Sequence, residues 1–229
     1  MARVMNRRSR YLRDFAAAVS HEFKTPLAGI GGAVELLQDH FETMSAAERA
    51  RFLGNIGDDN ARLSHLVARL LDLARADMAR PGAEARAEIA AAAHRVADAV
   101  SDDSFTVTVD LSPRLPLVAV PASAIEAVVS TLADNSRQAG ARHAWVSAEV
   151  EGEAVRLIFA DDGPGVASPD RHRLFEPFFT TRRADGGTGL GLAIALSLMQ
   201  AHGGGMALGE AESGARFEVM LPLPVAIEA

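Results

Sequence analysis

The sequence predicts an α+β multidomain protein, a long antiparallel helical hairpin followed by a layer of helices on one mixed or antiparallel sheet. Three observations predict it. Apolar residues recur in steps of three and four over the first third of the chain. Beyond about residue 90 the period shortens towards two in several short runs. Between these regions, residues 76 to 90 carry Pro81-Gly82 amid Ala, Arg and Glu, the composition of a hinge.

The first helix is read over residues 12 to 41, where Leu12, Phe15, Val19, Phe23, Pro26, Ile30, Ala33, Leu37 and Phe41 make one stripe. A second stripe follows at Phe52, Ile56, Leu63, Leu66, Leu70 and Leu73, and Ser45 with Glu48 reads as the capping box that opens it. Each helix spans about 45 Å at 1.5 Å per residue, and two thin helices bury their stripes incompletely. Pairing with a second copy as a four-helix bundle removes the deficit. Gly29, Gly31 and Gly32 weaken the first helix by about 1 kcal/mol each relative to Ala. They serve either close helix packing or a soft segment below His21. Strands are expected over 105–109, 145–150, 155–159, 206–208 and 217–221, and helices over 89–99, 122–138 and 190–201. The resulting division is a hairpin over 1–80, a linker over 81–95 and a second domain over 96–229.

Composition narrows the function classes. With 229 residues, 48% hydrophobic and 23% charged, the chain suits a globular fold. A net charge of −7 argues against a broad nucleic-acid surface. The absence of cysteine excludes disulfides and thiolate metal sites. No apolar run reaches the ~18 residues of a membrane span. Arg3, Arg7, Arg8, Arg10 and Arg13 admit two readings, a solvated helix start or a segment just inside a membrane in a longer parent chain. The expected location is the cytoplasm, either free or as the cytoplasmic part of a membrane-bound sensor.

His21 lies two residues from both Val19 and Phe23, about 200° around a helix from either, so it is expected to face away from the apolar stripe. Lys24 and Thr25 share its face, and Glu22 adjoins it. Neutral imidazole is a competent nucleophile near neutral pH, and a neighbouring carboxylate can orient one ring nitrogen while the other attacks phosphorus. The other six histidines lack such a setting. Downstream, Asp161-Asp162-Gly163-Pro164-Gly165 follows a strand, and Gly187-Thr188-Gly189-Leu190-Gly191-Leu192 opens a helix. Glycine loops let backbone amides approach phosphates, and a helix N-terminus favours an anion.

His21-Glu22-Phe23-Lys24-Thr25-Pro26-Leu27 resembles the phosphoacceptor box of sensor histidine kinases. The helix carrying Asn135, the Asp161 loop, Phe175-Glu176-Pro177-Phe178-Phe179 and the loop ending at Leu192 resemble the N, G1, F and G2 boxes of that family and its wider ATPase superfamily. The resemblance runs from about residue 12 to residue 223. It implies an α/β sandwich binding ATP and Mg2+ under a mobile lid at 166–188. It implies Asn135 as magnesium ligand, Asp161 as reader of the adenine amino group, and Gly163, Gly165, Thr188, Gly189, Leu190 and Gly191 as loop residues around the nucleotide. Of the lid arginines Arg171, Arg173, Arg182 and Arg183, one of the last two is expected at the γ-phosphate, with Arg182 preferred. His21 and Glu22 are the expected catalytic pair, and Thr25 resembles the residue that helps position water for dephosphorylating a partner receiver domain.

Three departures bear on the pocket. Thr131, Gln138 and Ala139 stand where the family pattern has Asn, Lys and an aromatic. Gyrase-like hydrolases carry a Glu at the position of Thr131, and Thr cannot take a proton from water. The expectation is therefore a homodimeric histidine autokinase passing its phosphoryl group to an Asp of a response regulator. The alternative is a non-catalytic or phosphatase-dominant dimeric phosphotransfer scaffold with a degenerate nucleotide site.

Overall fold

The computed structural model describes residues 2–78, 86–182 and 187–224, and the side chains of residues 2–18, 21, 22, 65 and 68–78 lie outside that description. Two compact units divide the chain: Met1–Asp72 with Glu176–Leu190, and Leu73–Phe175 with Gly191–Ala229.

In the first unit, α1 (Ala2–His40) and α2 (Ala46–Met78) form the hairpin. Helix α1 begins ten residues earlier than the apolar stripe, because its opening run of Ala, Arg and Met contains no helix breaker. It ends at His40, whose carbonyl accepts the Thr43 and Met44 amides at 3.0 and 2.9 Å. Phe41 therefore lies in the turn, with the Arg49 guanidinium 4.7 Å over its ring. The capping box forms as expected. The Ser45 amide donates to Glu48 Oε2 at 2.9 Å, and the Glu48 amide donates to Ser45 Oγ at 3.2 Å.

Pro26, Ala33 and Leu66 of the two stripes are buried, and Phe23, Ile30, Leu37, Phe52, Ile56 and Leu63 are half-buried. Leu27 and Leu53 remain 55% and 59% exposed, as the thin-hairpin argument requires. The glycines separate into two kinds. A Cβ on Gly29 would stand 2.3 Å from Asp59 Oδ2, so this position lets α2 approach α1. A Cβ on Gly31 or Gly32 would meet nothing within 4 Å. Pro81-Gly82 lies outside the described residues.

In the second unit, α3 (Ile89–Val100) and α4 (Ala122–Gln138) pack together. The sheet comprises β1 (Thr106–Asp110), β2 (His143–Glu151), β3 (Ala154–Asp161), β4 (Gly205–Leu208) and β5 (Arg216–Pro222), in the order β1-β2-β3-β5-β4. Only the β1–β2 pair is parallel, joined across α4, and the other pairs are antiparallel. Helix α5 (Gly191–Ala201) precedes β4.

The sheet buries one face, and the alternation is strict where it matters. In β3 Val155, Leu157, Phe159 and Asp161 point inward, and in β5 Phe217, Val219 and Leu221 do so. Helix α4 turns Ile125, Val128, Val129, Leu132, Ala133 and Ser136 to the interior at helical spacing. Two of these inward positions, Asp161 and Ser136, are polar. They define the site.

Candidate nucleotide site

Asp161 ends β3 on the buried face, 6% exposed. A carboxylate there requires hydrogen-bond donors, since burying an unpaired charge is prohibitive. Three elements supply them. The Gly163 amide donates to Oδ1 at 3.0 Å from the loop after β3, and the Ala215 amide donates to the same oxygen at 3.0 Å from the connection before β5. The Ser136 hydroxyl, on α4, donates to Oδ2 at 2.5 Å. The Asp161 amide in turn donates to the Ala215 carbonyl at 2.9 Å.

The glycines around this carboxylate are sterically determined. Gly214 has φ +70°, and a Cβ on it would fall 1.7 Å from the Asp161 carbonyl oxygen. Gly165 has φ +74°, and its Cβ would fall 2.6 Å from the Gly214 carbonyl oxygen. A Cβ on Gly163 would stand 3.1 Å from Asp161 Oδ1. The loop after β3 and the β4–β5 connection thus press backbone against backbone, at positions where only glycine combines this φ with this clearance.

Asp162, the neighbour that sequence reasoning left without a role, staples the loop to the start of β2. Its Oδ1 accepts the Arg142 and His143 amides at 2.8 and 2.9 Å. The His143 amide is the largest influence holding this carboxyl below its usual value, with Arg142 adding to it. Asp161 faces the core and Asp162 faces outward, the alternation of a strand carried one residue past its end.

Asn135 is half-buried on α4, and its Nδ2 is buried without a hydrogen-bond partner. The amide oxygen and nitrogen exchange places by a half-turn. That orphaned position therefore suits either a donor to phosphate or an oxygen ligand for a hard cation such as Mg2+. One turn earlier, Thr131 is buried against the first residue of α5: a Cβ on Gly191 would stand 3.2 Å from Thr131 Cγ2. Asn135, Ser136, Asp161, Gly163, Gly165 and Gly191 are therefore brought into one neighbourhood of the second unit.

Arg137 is committed elsewhere. Its guanidinium donates to the Val100 carbonyl, pairs with Asp102 at 3.2 Å and lies 5.4 Å over the Phe105 ring. It fastens the end of α4 to the α3–β1 connection, while Gln138 is exposed.

The remaining predicted residues belong to the first unit. Gly189, φ +65°, packs its backbone on Phe178, where a Cβ would stand 2.5 Å from the Phe178 carbonyl carbon. The Phe178 amide donates to the Gly189 carbonyl at 2.8 Å, and Phe178 itself holds φ +64°, a strained value for an aromatic residue. Leu190 is buried, Thr188 is half-buried, and Thr188 Oγ1 accepts the Leu190 amide at 3.4 Å. Arg182 is half-buried, and its amide donates to Thr180 Oγ1 at 3.1 Å. Thr25 is exposed on α1. The side chains of His21 and Glu22, and Arg183 entirely, lie outside the described residues.

Comparison with known proteins agrees with this geometry. Residues 121–225 match the family "Histidine kinase-, DNA gyrase B-, and HSP90-like ATPase", and residues 11–79 match the "His Kinase A (phospho-acceptor) domain". The sensory histidine kinase/phosphatase NtrB of Escherichia coli O157:H7 is 32% identical over 228 residues, covering 92% of this chain and 62% of the relative. Full-length ShkA, solved in complex with AMPPNP, is 30% identical with a TM-score of 0.61, covering 91% of this chain and 45% of that one. The histidine kinase domain of the E. coli osmosensor EnvZ is 30% identical with a TM-score of 0.51, covering 63% of this chain and 92% of that one. The chain spans less than half the length of several curated relatives that it matches. A buried carboxylate framed by glycine loops, on a fold shared with these kinases and behind a phosphoacceptor hairpin, settles the kinship: the chain belongs to the sensor histidine kinase family.

Proposed function

We propose that this chain is the ATP-dependent autokinase core of a cytoplasmic two-component sensor, phosphorylating His21 and passing the phosphoryl group to an Asp of a response regulator. The observation that carries the reading is the Asp161 cradle. A carboxylate buried and held by Ser136, Gly163 and Ala215 has its oxygens fixed as acceptors, as recognition of a purine amino group demands. It occurs in the same chain as the matched phosphoacceptor segment containing His21. A degenerate nucleotide site has no need of this arrangement, and the scaffold alternative is correspondingly disfavoured.

In this mechanism Asp161 orients the base, and the amides at Gly163, Gly165 and Thr188 to Gly191 approach the phosphates, with Arg182 neutralising charge at the terminal phosphoryl group. Mg2+, when bound with the nucleotide, supplies charge neutralisation at the phosphate oxygens, and Asn135 is the residue that would hold it. Glu22 orients the His21 ring so that the free nitrogen attacks phosphorus in line, and the leaving group is ADP. The exposed apolar residues Leu27 and Leu53 support pairing of two hairpins in a homodimer.

His21→Gln is expected to abolish labelling by γ-labelled ATP while ATP binding persists, and the label on the parent is expected to be acid-labile and base-stable. Labelling of the variant would refute the acceptor assignment. In the same assay Thr25→Ala is expected to slow dephosphorylation of a labelled receiver domain, and equal rates would remove Thr25 from that role.

A further inference from the structure

We propose that Ser136 is a positioning residue for purine recognition, setting the discrimination between a 6-amino and a 6-oxo base by fixing the second oxygen of Asp161. The inference rests on the nucleotide-binding reading above and adds a residue to it. Ser136 occupies an inward position of α4 where the neighbouring inward residues, Val128, Val129, Leu132 and Ala133, are apolar. It is 2% exposed. An apolar residue there would satisfy the packing, so the hydroxyl answers a different requirement.

That requirement follows from counting acceptor sites. An ionised carboxylate offers about four lone-pair directions. Oδ1 of Asp161 accepts two amides, from Gly163 and Ala215, and is saturated. Oδ2 accepts the Ser136 hydroxyl and no other donor among the described residues, which leaves it one open acceptor direction. A ligand meeting that direction must offer an N–H. A 6-amino purine does so. A 6-oxo purine presents a lone pair to a lone pair and is rejected, because a site built around one hydrogen bond penalises the analogue that cannot make it.

Both oxygens are tied, one to backbone and one to the Ser136 side chain, so the carboxylate plane is fixed before a ligand arrives. With Ser136→Ala the backbone still holds Oδ1, but Oδ2 loses its charge-assisted donor and the plane can turn about Cβ–Cγ. The open direction then no longer points to one place. Water admitted in place of the hydroxyl can turn a donor or an acceptor towards the base, which also relaxes selectivity.

The test is calorimetric titration of the full chain, with Mg2+ present, using ADP and its 6-oxo counterpart IDP. The parent is expected to prefer ADP by about 100-fold. Ser136→Ala is expected to weaken ADP by about tenfold while changing IDP little, so the preference falls to about tenfold. A variant that keeps the parent's ADP/IDP ratio to within about twofold overturns the inference, even if both affinities drop together, since parallel losses mark a purely structural hydroxyl. A parent that binds neither nucleotide instead overturns the nucleotide reading itself. Should Ser136→Ala fail to give a native circular dichroism spectrum, Ser136→Cys takes its place. The thiol is a weaker donor of similar bulk, and an intermediate preference is expected. A preference equal to the parent's overturns the inference.

Discussion

Gly214→Ala is expected to be among the most damaging single-methyl additions in the sheet unit, and the structure sets its size. The residue holds φ +70°, where an L side chain is destabilised by about 1–2 kcal/mol. Strain is the smaller part. The new Cβ would sit 1.7 Å from the Asp161 carbonyl oxygen and 3.0 Å from its Oδ1. Both are parts of a backbone held by Ala215, so the clash cannot be relieved by a rotamer change. The β4–β5 connection must withdraw. With it go the Asp161 amide bond to the Ala215 carbonyl and the Ala215 amide bond to the carboxylate. The first is a neutral bond of about 1 kcal/mol and the second a charged one of about 1.5–3 kcal/mol, giving a total near 4 to 5 kcal/mol with the strain. Against an ordinary domain stability of about 5–15 kcal/mol, that is a large fraction.

The control is Gly152→Ala, in the turn between β2 and β3. Gly152 has φ +59°, and a Cβ there would meet nothing within 4 Å, so only the conformational penalty of about 1 kcal/mol applies. The single tryptophan, Trp145, lies on β2 inside the sheet and reports its unfolding by fluorescence in urea without labelling. A loss for Gly214→Ala no greater than for Gly152→Ala would refute the close approach of the two loops.

Two further expectations are independent of the site. His202 is 8% exposed with its Nδ1 unpartnered, and burial pushes its imidazole below the ordinary value of 6.5. The unfolded chain then binds a proton that the folded chain refuses, so this residue makes stability fall as pH drops below about 6.5 and leaves it level above. Urea midpoints at several pH values should show a shallower acid limb in His202→Gln than in the parent, and identical limbs would dismiss the effect. Gly31→Ala and Gly32→Ala add a methyl group to open space in mid-helix and should each raise hairpin stability by about 1 kcal/mol in thermal melts of the full chain. Destabilisation would mean that a packing partner covers the position, with a second copy the first to test by sedimentation.

The periodicities made the elements legible, since alternation at Val155, Leu157 and Phe159 and helical spacing from Ile125 to Ala133 stand directly in the chain. The Ser45–Glu48 box was legible for the same reason, being a contact between residues three apart. What was not legible was long-range contact. Gly214 lies 53 residues beyond Asp161 in a stretch whose only local sign is Ser-Gly, and its necessity arises from a carbonyl on another strand. Arg137 read as a substitute for the neighbouring lysine of the family pattern, because its engagement with Val100, Asp102 and Phe105 depends on how α4 meets α3 and β1.

Asp161 and Ser136 stand between these cases. Each falls by its own period on the inward face of its element, one at the end of an alternating strand and one at the end of a helical stripe. Each is therefore a polar group in a place that tolerates none unpaired. Two such residues in one small domain have few ways to be satisfied, and pairing with each other is the economical one. The exception to a pattern thus carries positional information that the pattern itself does not. Had the interruptions been apolar, nothing in either period would have tied α4 to the end of β3; because they are a hydroxyl and a carboxylate, the contact at 2.5 Å is the arrangement that leaves neither stranded.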